Sequence, residues 1–166
     1  ASPLDREDVV TQALLPNPLV VFARDDHPLA KARQISLERI AAESFLTREP
    51  GSGTRLLATK LFEQRGLSPK IRMELSTDEA IKEAILAGLG VSIMSRFTLG
   101  REAETPRLIC LDVEGFPLEN HWHIVYPVGK QLSATARGFM DFARLEAKGL
   151  LMDELRVSAK IEPSST

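Results

Sequence analysis

Two strand–turn–helix units follow one another in this chain, and they set its fold class. Ser44-Phe-Leu-Thr-Arg48 is a short β-rich run that Pro50-Gly-Ser-Gly53 breaks. Residues 54–65 then carry helical spacing, with Leu57 and Leu61 one turn apart on the inner face and Gly66 as the stop. Lys70-Ile-Arg-Met-Glu-Leu75 repeats the pattern as a strand. Ser76-Thr-Asp-Glu79 reads as a capping box, with Ser76 and Glu79 satisfying each other's free amides. The helix it opens is expected to bury Ala80, Ile81, Ala84 and Ile85. Gly88-Leu-Gly90 ends that helix, and Val91-Ser-Ile-Met94 is the next strand. Strands that alternate with helices predict a mostly parallel α/β sheet.

The flanks add smaller elements. Leu19-Val-Val-Phe-Ala23 reads as a buried strand and Asp25-Asp-His-Pro-Leu-Ala30 as a turn. Ser36 is expected to cap a short helix running to Ala42. A short helical stretch over 96–102, strands over 107–113 and 122–126, and an amphipathic helix over 133–148 complete the reading. The tail Pro163-Ser-Ser-Thr166 is expected to fray.

Composition limits the function classes. Apolar residues make up 43% and charged residues 27% of 166, enough to bury a core without disulfides or metals. Lys and Arg number 21 against 23 Asp and Glu, a net charge of −2. Phosphate neutralisation drives DNA binding, so a net acidic chain is not expected to hold DNA by itself. Cys110 is the single cysteine, which excludes an internal disulfide or multi-thiolate metal site and points to a reducing compartment. In its apolar strand it reads as an inert core thiol. The apolar runs are too short to span a bilayer, and the polar, acidic N-terminus shows no signal peptide. A cytoplasmic location is the expectation.

The most informative segment is Arg48-Glu-Pro-Gly-Ser-Gly-Thr-Arg55, which joins a strand to a helix. Gly51 and Gly53 let backbone approach a ligand closely. Helix-start amides point outward unpaired with partial positive charge. Ser52 and Thr54 add hydroxyls, and Arg55 adds a cation. Residues 51–75 carry five Lys or Arg and two Asp or Glu, an excess of +3. Together these predict a seat for a carboxylate, phosphate or sulfate. The plainer reading, a turn with Ser52 as cap, is ranked below it because glycines, hydroxyls and arginine converge within five residues. Ser76 and Thr77 lie at a second strand-to-helix junction, and ligands of open α/β sheets bind beyond the carboxyl ends of the strands. Ser76 is expected to cap, leaving Thr77 as the freer side chain.

Catalytic chemistry finds no foothold. His121 and His123 share a strand face but lack a third ligand, so they read as a surface pair beside Trp122; His27 reads as a turn residue. There is no Gly-x-Ser-x-Gly elbow, no His-Glu-x-x-His and no phosphate loop ending in Gly-Lys-Ser/Thr. No enzyme activity, cofactor or metal is expected.

Three stretches, in order and spacing, resemble the effector-binding domain of LysR-type transcriptional regulators. They are Asn17-Pro-Leu-Val-Val-Phe-Ala-Arg-Asp-Asp-His-Pro-Leu-Ala30, Phe45-Leu-Thr-Arg-Glu-Pro-Gly-Ser-Gly-Thr-Arg55 and Glu79-Ala-Ile-Lys-Glu-Ala-Ile-Leu-Ala-Gly-Leu-Gly-Val-Ser-Ile-Met94. Residues 48–55 and 78–87 and Leu111-Asp-Val-Glu-Gly-Phe-Pro117 are similar to the branch that regulates carbon-fixation (RuBisCO) operons. The resemblance implies an α/β periplasmic-binding-protein type 2 fold, with one complete Rossmann-like lobe over 15–120 and part of a second. Residues 1–14 and 121–149 would be hinge strands and the C-terminal part of that second lobe, with 150–166 as a tail.

The resemblance also implies a small anionic effector between lobes: a phosphorylated sugar, phosphoenolpyruvate or a reduced nicotinamide nucleotide. Its candidate contacts are Gly51, Ser52, Gly53, Thr54, Arg55, Ser76 and Thr77. DNA would be bound only through an N-terminal winged helix-turn-helix that this chain lacks, and the protein would act as a homo-oligomer. The family often places a proline where Ser95-Arg96 stands, so the path there is open. With half a lobe missing, Trp122-His-Ile-Val-Tyr126 is expected to present an unpaired edge. Phe139, Phe142 and Leu145 would lack partners, which predicts self-association. The competing function is a periplasmic solute-binding protein for a small oxyanion, which shares the fold.

Overall fold

The computed structural model describes residues 7–98 and 107–159. The chain divides into two compact units, residues 18–118 and the two flanks, 1–17 with 119–166.

In the 18–118 unit, β2 (Leu19–Arg24) is followed by α1 (Leu37–Ala42), β3 (Ser44–Arg48), α2 (Gly53–Gln64), β4 (Lys70–Leu75), α3 (Asp78–Leu86), β5 (Ser92–Ser95) and β6 (Leu108–Cys110). β3 and β4 pair in parallel, with Arg48 opposite Leu75. β3 also meets the start of β5 in parallel: Leu46 N–H donates to Val91 O at 2.8 Å and Val91 N–H to Ser44 O at 2.9 Å. β2 runs antiparallel to both β5 and β6. The strands therefore lie in the order β4-β3-β5-β2-β6, and only β2 runs against the rest. The expected mostly parallel sheet is present, with this one exception.

Each face of the sheet carries a core. On one side Phe45 and Phe62 meet edge to face, 5.4 Å between centroids, amid Val21, Ile40, Ala58, Val91 and Ile93. On the other, Leu46, Phe22 and Met94 pack against Ile81, Ala84 and Ile85 of α3. Period-2 alternation along β3 explains why neighbours Phe45 and Leu46 serve opposite cores. In α2 the fully buried residues are Ala58 and Phe62, while Leu57 and Leu61 lie half-buried at the margin. Ala80 is likewise only half-buried in α3.

Several local expectations change. Ser36 occupies the N-cap position of α1 but its hydroxyl makes no cap bond. It serves the Glu38 carboxylate instead, which lies below its ordinary range chiefly through backbone hydrogen bonding and secondly through Ser36. The strand expected over 107–113 is regular only at Leu108–Cys110, because Val113 leaves to bridge Ile35. Cys110 is exposed at the end of edge strand β6, so it is not a core thiol. Protein packed near its sulfur still pushes the thiol up to about 11. At Ser95-Arg96 the strand passes directly into a single 3₁₀ turn over 96–98, with Arg96 N–H donating to Pro18 O at 2.9 Å. The rest of the helical stretch expected over 96–102 lies outside the described residues, as does the tail Pro163-Ser-Ser-Thr166.

In the flanking unit, β1 (Val9–Pro16) pairs antiparallel with β7 (His121–Pro127), and α4 (Ala134–Ala159) follows. Val10 to Leu15 pair with one edge of Trp122-His-Ile-Val-Tyr126, with a bulge between Ala13 and Leu15, and its other edge carries no strand among the described residues, as expected. α4 outruns the expected 133–148 because the sequence past Gly149 supplies no breaker, and Leu150, Leu151, Met152, Glu154 and Leu155 all favour helix. Met140 and Ala143 are its buried residues among those described. Phe139 (67% exposed), Phe142 (55%) and Leu145 (78%) face solvent, as the sequence implied.

Candidate functional site

The parallel pairing of β3 with β4 places the two strand-to-helix junctions side by side. Loop 49–52 leads from β3 into α2, and Ser76-Thr77 leads from β4 into α3. Ser52 caps α2: its hydroxyl accepts from Arg55 N–H at 3.5 Å, and its carbonyl from Leu56 N–H at 3.0 Å. Its own amide donates to Glu49 O at 3.2 Å and closes the turn. Gly51 sits at φ +93°, where only glycine is unstrained. Of the amides expected to face a ligand, Ser52 is thus spent inside the loop. Gly53 and Thr54 occupy the first helical positions, where no intrahelical acceptor exists, and neither amide bonds elsewhere among the described residues.

At the second junction the roles of Ser76 and Thr77 are exchanged from the expectation. Thr77 is the N-cap: its Oγ1 accepts from Ala80 N–H at 3.1 Å. Ser76 makes no side-chain bond and is exposed. The helix begins one residue later than a Ser76–Glu79 box requires, because β4 keeps its register with β3 through Leu75 and the chain needs Ser76 to turn.

The arginines are structural. Arg48, with 19% of its side chain exposed, donates from Nε to Glu49 Oε2 at 2.8 Å, from Nη1 to Asp78 Oδ1 at 2.5 Å and from Nη2 to Ser76 O at 3.3 Å. It ties the two junctions together. The hydrogen bond from Arg48 holds the Glu49 carboxyl below its ordinary range, and Glu49 raises Arg48 in turn. Arg55 donates to Arg48 O at 2.9 Å and pairs with Glu74 of β4. Of the cations read from residues 51–75, Arg55 is therefore paired with Glu74, and Arg48 just before them with Glu49 and Asp78.

One residue escaped the sequence reading. Thr47 is 6% exposed, and its hydroxyl makes no hydrogen bond among the described residues. Among the described residues no side-chain polar atom is both sealed from solvent and unbonded, so this hydroxyl reaches solvent. A threonine next to the quoted loop was visible in sequence; its burial was not.

The remaining candidates lie on other elements. His121 and His123 are exposed on β7 with ring centroids 6.4 Å apart. Among the described residues no group of three or more His, Cys, Asp or Glu could hold a metal, and no helix is long and apolar enough to cross a membrane.

Residues 1–148 match the family described as LysR substrate binding domain. The chain belongs to that family. The RuBisCO operon transcriptional regulator of Acidithiobacillus ferrooxidans is 46% identical over 140 residues, 84% of this chain and 45% of the relative. The HTH-type transcriptional activator CmpR of Synechocystis is 47% identical over 135 residues, 81% of this chain and 44% of that protein. The chain thus spans about half the length of the curated relatives it matches. Among solved structures, the regulatory domain of Synechocystis CcmR in complex with 2-PG is 41% identical, with a TM-score of 0.80 over 86% of this chain and 68% of that one. The effector-binding domain of QuiR in complex with shikimate is 26% identical, with a TM-score of 0.76 over 89% of this chain and 70% of that one. The fold is the periplasmic-binding-protein type 2 fold of LysR effector domains, and the chain is an effector domain related to regulators of RuBisCO operons. The solute-binding alternative yields to this family.

Proposed function

We propose that this LysR-family domain senses a small phosphorylated or carboxylated metabolite at the paired junctions of β3–α2 and β4–α3, within a regulator of carbon-fixation genes. The observation that carries the reading is the pair of free amides at Gly53 and Thr54, held at the carboxyl end of a parallel sheet by Gly51 and the Ser52 cap. Such amides, with the helix dipole behind them, suit an oxyanion. The solved CcmR relative, crystallised with 2-PG, supports a phosphorylated acid as the ligand. Of the candidate residues, Gly53, Thr54 and Ser76 offer donors. Gly51, Ser52, Arg55 and Thr77 shape the site.

The domain works as a sensor without catalysis, and an effector that prefers one arrangement of the protein shifts the population toward it. In the whole regulator, DNA contact falls to a part this chain does not contain, and the protein acts as a cytoplasmic homo-oligomer. The HTH-type names of the relatives and the net charge of −2 support that division.

The test is a titration of the ¹⁵N-labelled chain with 2-phosphoglycolate, phosphoenolpyruvate, ribulose bisphosphate and NADPH. The amide resonances of Gly53 and Thr54 are expected to move first and saturably with at least one of them. Saturable shifts confined to other segments would refute this placement.

A further inference from the structure

The open edge of β7 differs from every other sheet edge among the described residues. β4 carries Lys70, Arg72 and Glu74 and bulges at Arg72, since Phe45 faces Ile71 while Leu46 faces Met73. β1 bulges at Leu14, and β6 is three residues long. Charges, bulges and shortness keep an edge from pairing. β7 has none of these: Trp122-His-Ile-Val-Tyr126 carries no Asp, Glu, Lys or Arg, adds no extra residue to its ladder and is rich in strand-favouring side chains. Its sheet holds only two strands, a marginal number in water.

Exposed apolar side chains gather in the same unit. Of the nine large ones exposed among the described residues, six lie here: Val125 and Val128 around β7, and Phe139, Phe142, Leu145 and Leu150 on α4. Phe139, Phe142 and Leu145 adjoin the buried Met140 and Ala143 round the helix, so apolar surface continues past the part of α4 that is covered. With roughly 150–250 Å² in a whole aromatic side chain, the exposed parts of Phe139 and Phe142 come to about 250 Å², and Leu145 and Leu150 bring the α4 surface to about 500 Å².

β7 is also complementary to itself. Set antiparallel to a second β7 about Ile124, it places Trp122 opposite Tyr126 of the second copy, His123 opposite Val125 and Ile124 opposite Ile124, with no like charges facing. A two-fold axis normal to the sheet leaves both α4 helices on one face. Four strands about 4.8 Å apart span roughly 14 Å, room for two helices side by side at about 8–10 Å. Two copies cover about 1,000 Å² of α4 surface before the strand edges are counted, the size at which a specific interface begins.

We propose that this chain pairs with a second copy through β7, antiparallel about Ile124, in a continuous sheet β1-β7-β7-β1 whose two α4 helices meet across the axis on Phe139, Phe142 and Leu145. This gives the homo-oligomer of the proposed function a surface and a symmetry, and rests on that reading alone.

The experiment combines sedimentation equilibrium with cysteine cross-linking. The 18.3 kDa chain is expected to sediment as a dimer. Phe139→Glu with Phe142→Glu, both at exposed positions, is expected to raise the dimer Kd about tenfold or more with an unchanged circular dichroism spectrum. Facing Cα atoms of an antiparallel pair lie about 4.5–5.5 Å apart, within the span of a disulfide. Ile124→Cys, made on Cys110→Ser, is therefore expected to give a disulfide-linked dimer under mild oxidation. His121→Cys on the same background falls roughly 20 Å from its own copy and is expected to stay unlinked. If Ile124→Cys folds poorly, a mixture of His123→Cys and Val125→Cys chains reads the same register. A dimer that links through His121→Cys but not Ile124→Cys, or that survives the paired glutamates, overturns the β7 surface and leaves the homo-oligomer standing. A monomer up to about 100 µM, far above the Kd of a specific interface, means that some other segment covers this edge and overturns both.

Discussion

Gly90→Ala should unlock the sheet that carries the site. A Cβ built at Gly90 falls 2.1 Å from the carbonyl oxygen of Ser44 and 2.9 Å from its carbonyl carbon, against the 3.0 Å below which real Cβ contacts essentially vanish. The obstacle is backbone and cannot swing aside, so β3 and the start of β5 must part by about 0.9 Å. That movement stretches the Val91 N–H to Ser44 O bond from 2.9 Å past bonding range and strains the Leu46 N–H to Val91 O bond at 2.8 Å. Leu46 and Val91 are both fully buried, so the freed groups find no water. Two weakened bonds cost about 1–3 kcal/mol, and a side chain at φ +156° adds about 1 kcal/mol or more. The expected loss is about 2–4 kcal/mol, a large share of the 5–15 kcal/mol that stabilises a typical domain. Urea denaturation followed by far-UV circular dichroism measures it as a fall in Cm at unchanged m. Gly53→Ala is the control, since a Cβ there meets nothing within 4 Å, and its Cm should move little. A Gly90→Ala loss below about 1 kcal/mol would refute the claim that this close approach fastens β3 to β5.

Other outcomes follow from the same geometry. Thr77→Ala should cost about 1 kcal/mol through the lost cap and Ser76→Ala less than about 0.5 kcal/mol, the reverse of what a Ser76 capping box requires; parallel urea melts decide it. Glu49 is depressed in the folded state by its hydrogen bond from Arg48, so its contribution is present above the ordinary carboxylate range and is lost as pH falls through the depressed value. Glu49→Gln should therefore flatten the acid limb of a stability–pH curve while leaving its shape near neutrality unchanged. Cys110, exposed yet pushed up to about 11, should react slowly with iodoacetamide at pH 7.5 and faster as pH approaches that value. Gly138→Ala, in the interior of α4 with open space around it, should stabilise the chain by about 0.5–1 kcal/mol in a thermal melt.

The amino-acid sequence by itself determined the elements with strong local punctuation. β3 and β4 stand where their β-rich runs stood, and α2 begins within one residue of the expectation, because Pro50-Gly-Ser-Gly53 and Gly66 act through local backbone geometry. The loop with its glycines and Ser52 cap was legible for the same reason, and so was the family, whose signature is an ordered set of such segments. What only the tertiary structure decided are matters of pairing and register. β1, eight residues without a turn signal of their own, is a strand because β7 lies beside it. Thr77 replaces Ser76 as cap because β4 holds register with β3. Arg55 looked like a ligand cation until Glu74, 19 residues away, came within reach. Hydrogen-bond caps and turns are contacts between near neighbours and can be read along the chain, whereas charge neutralisation and burial depend on residues that only folding brings together.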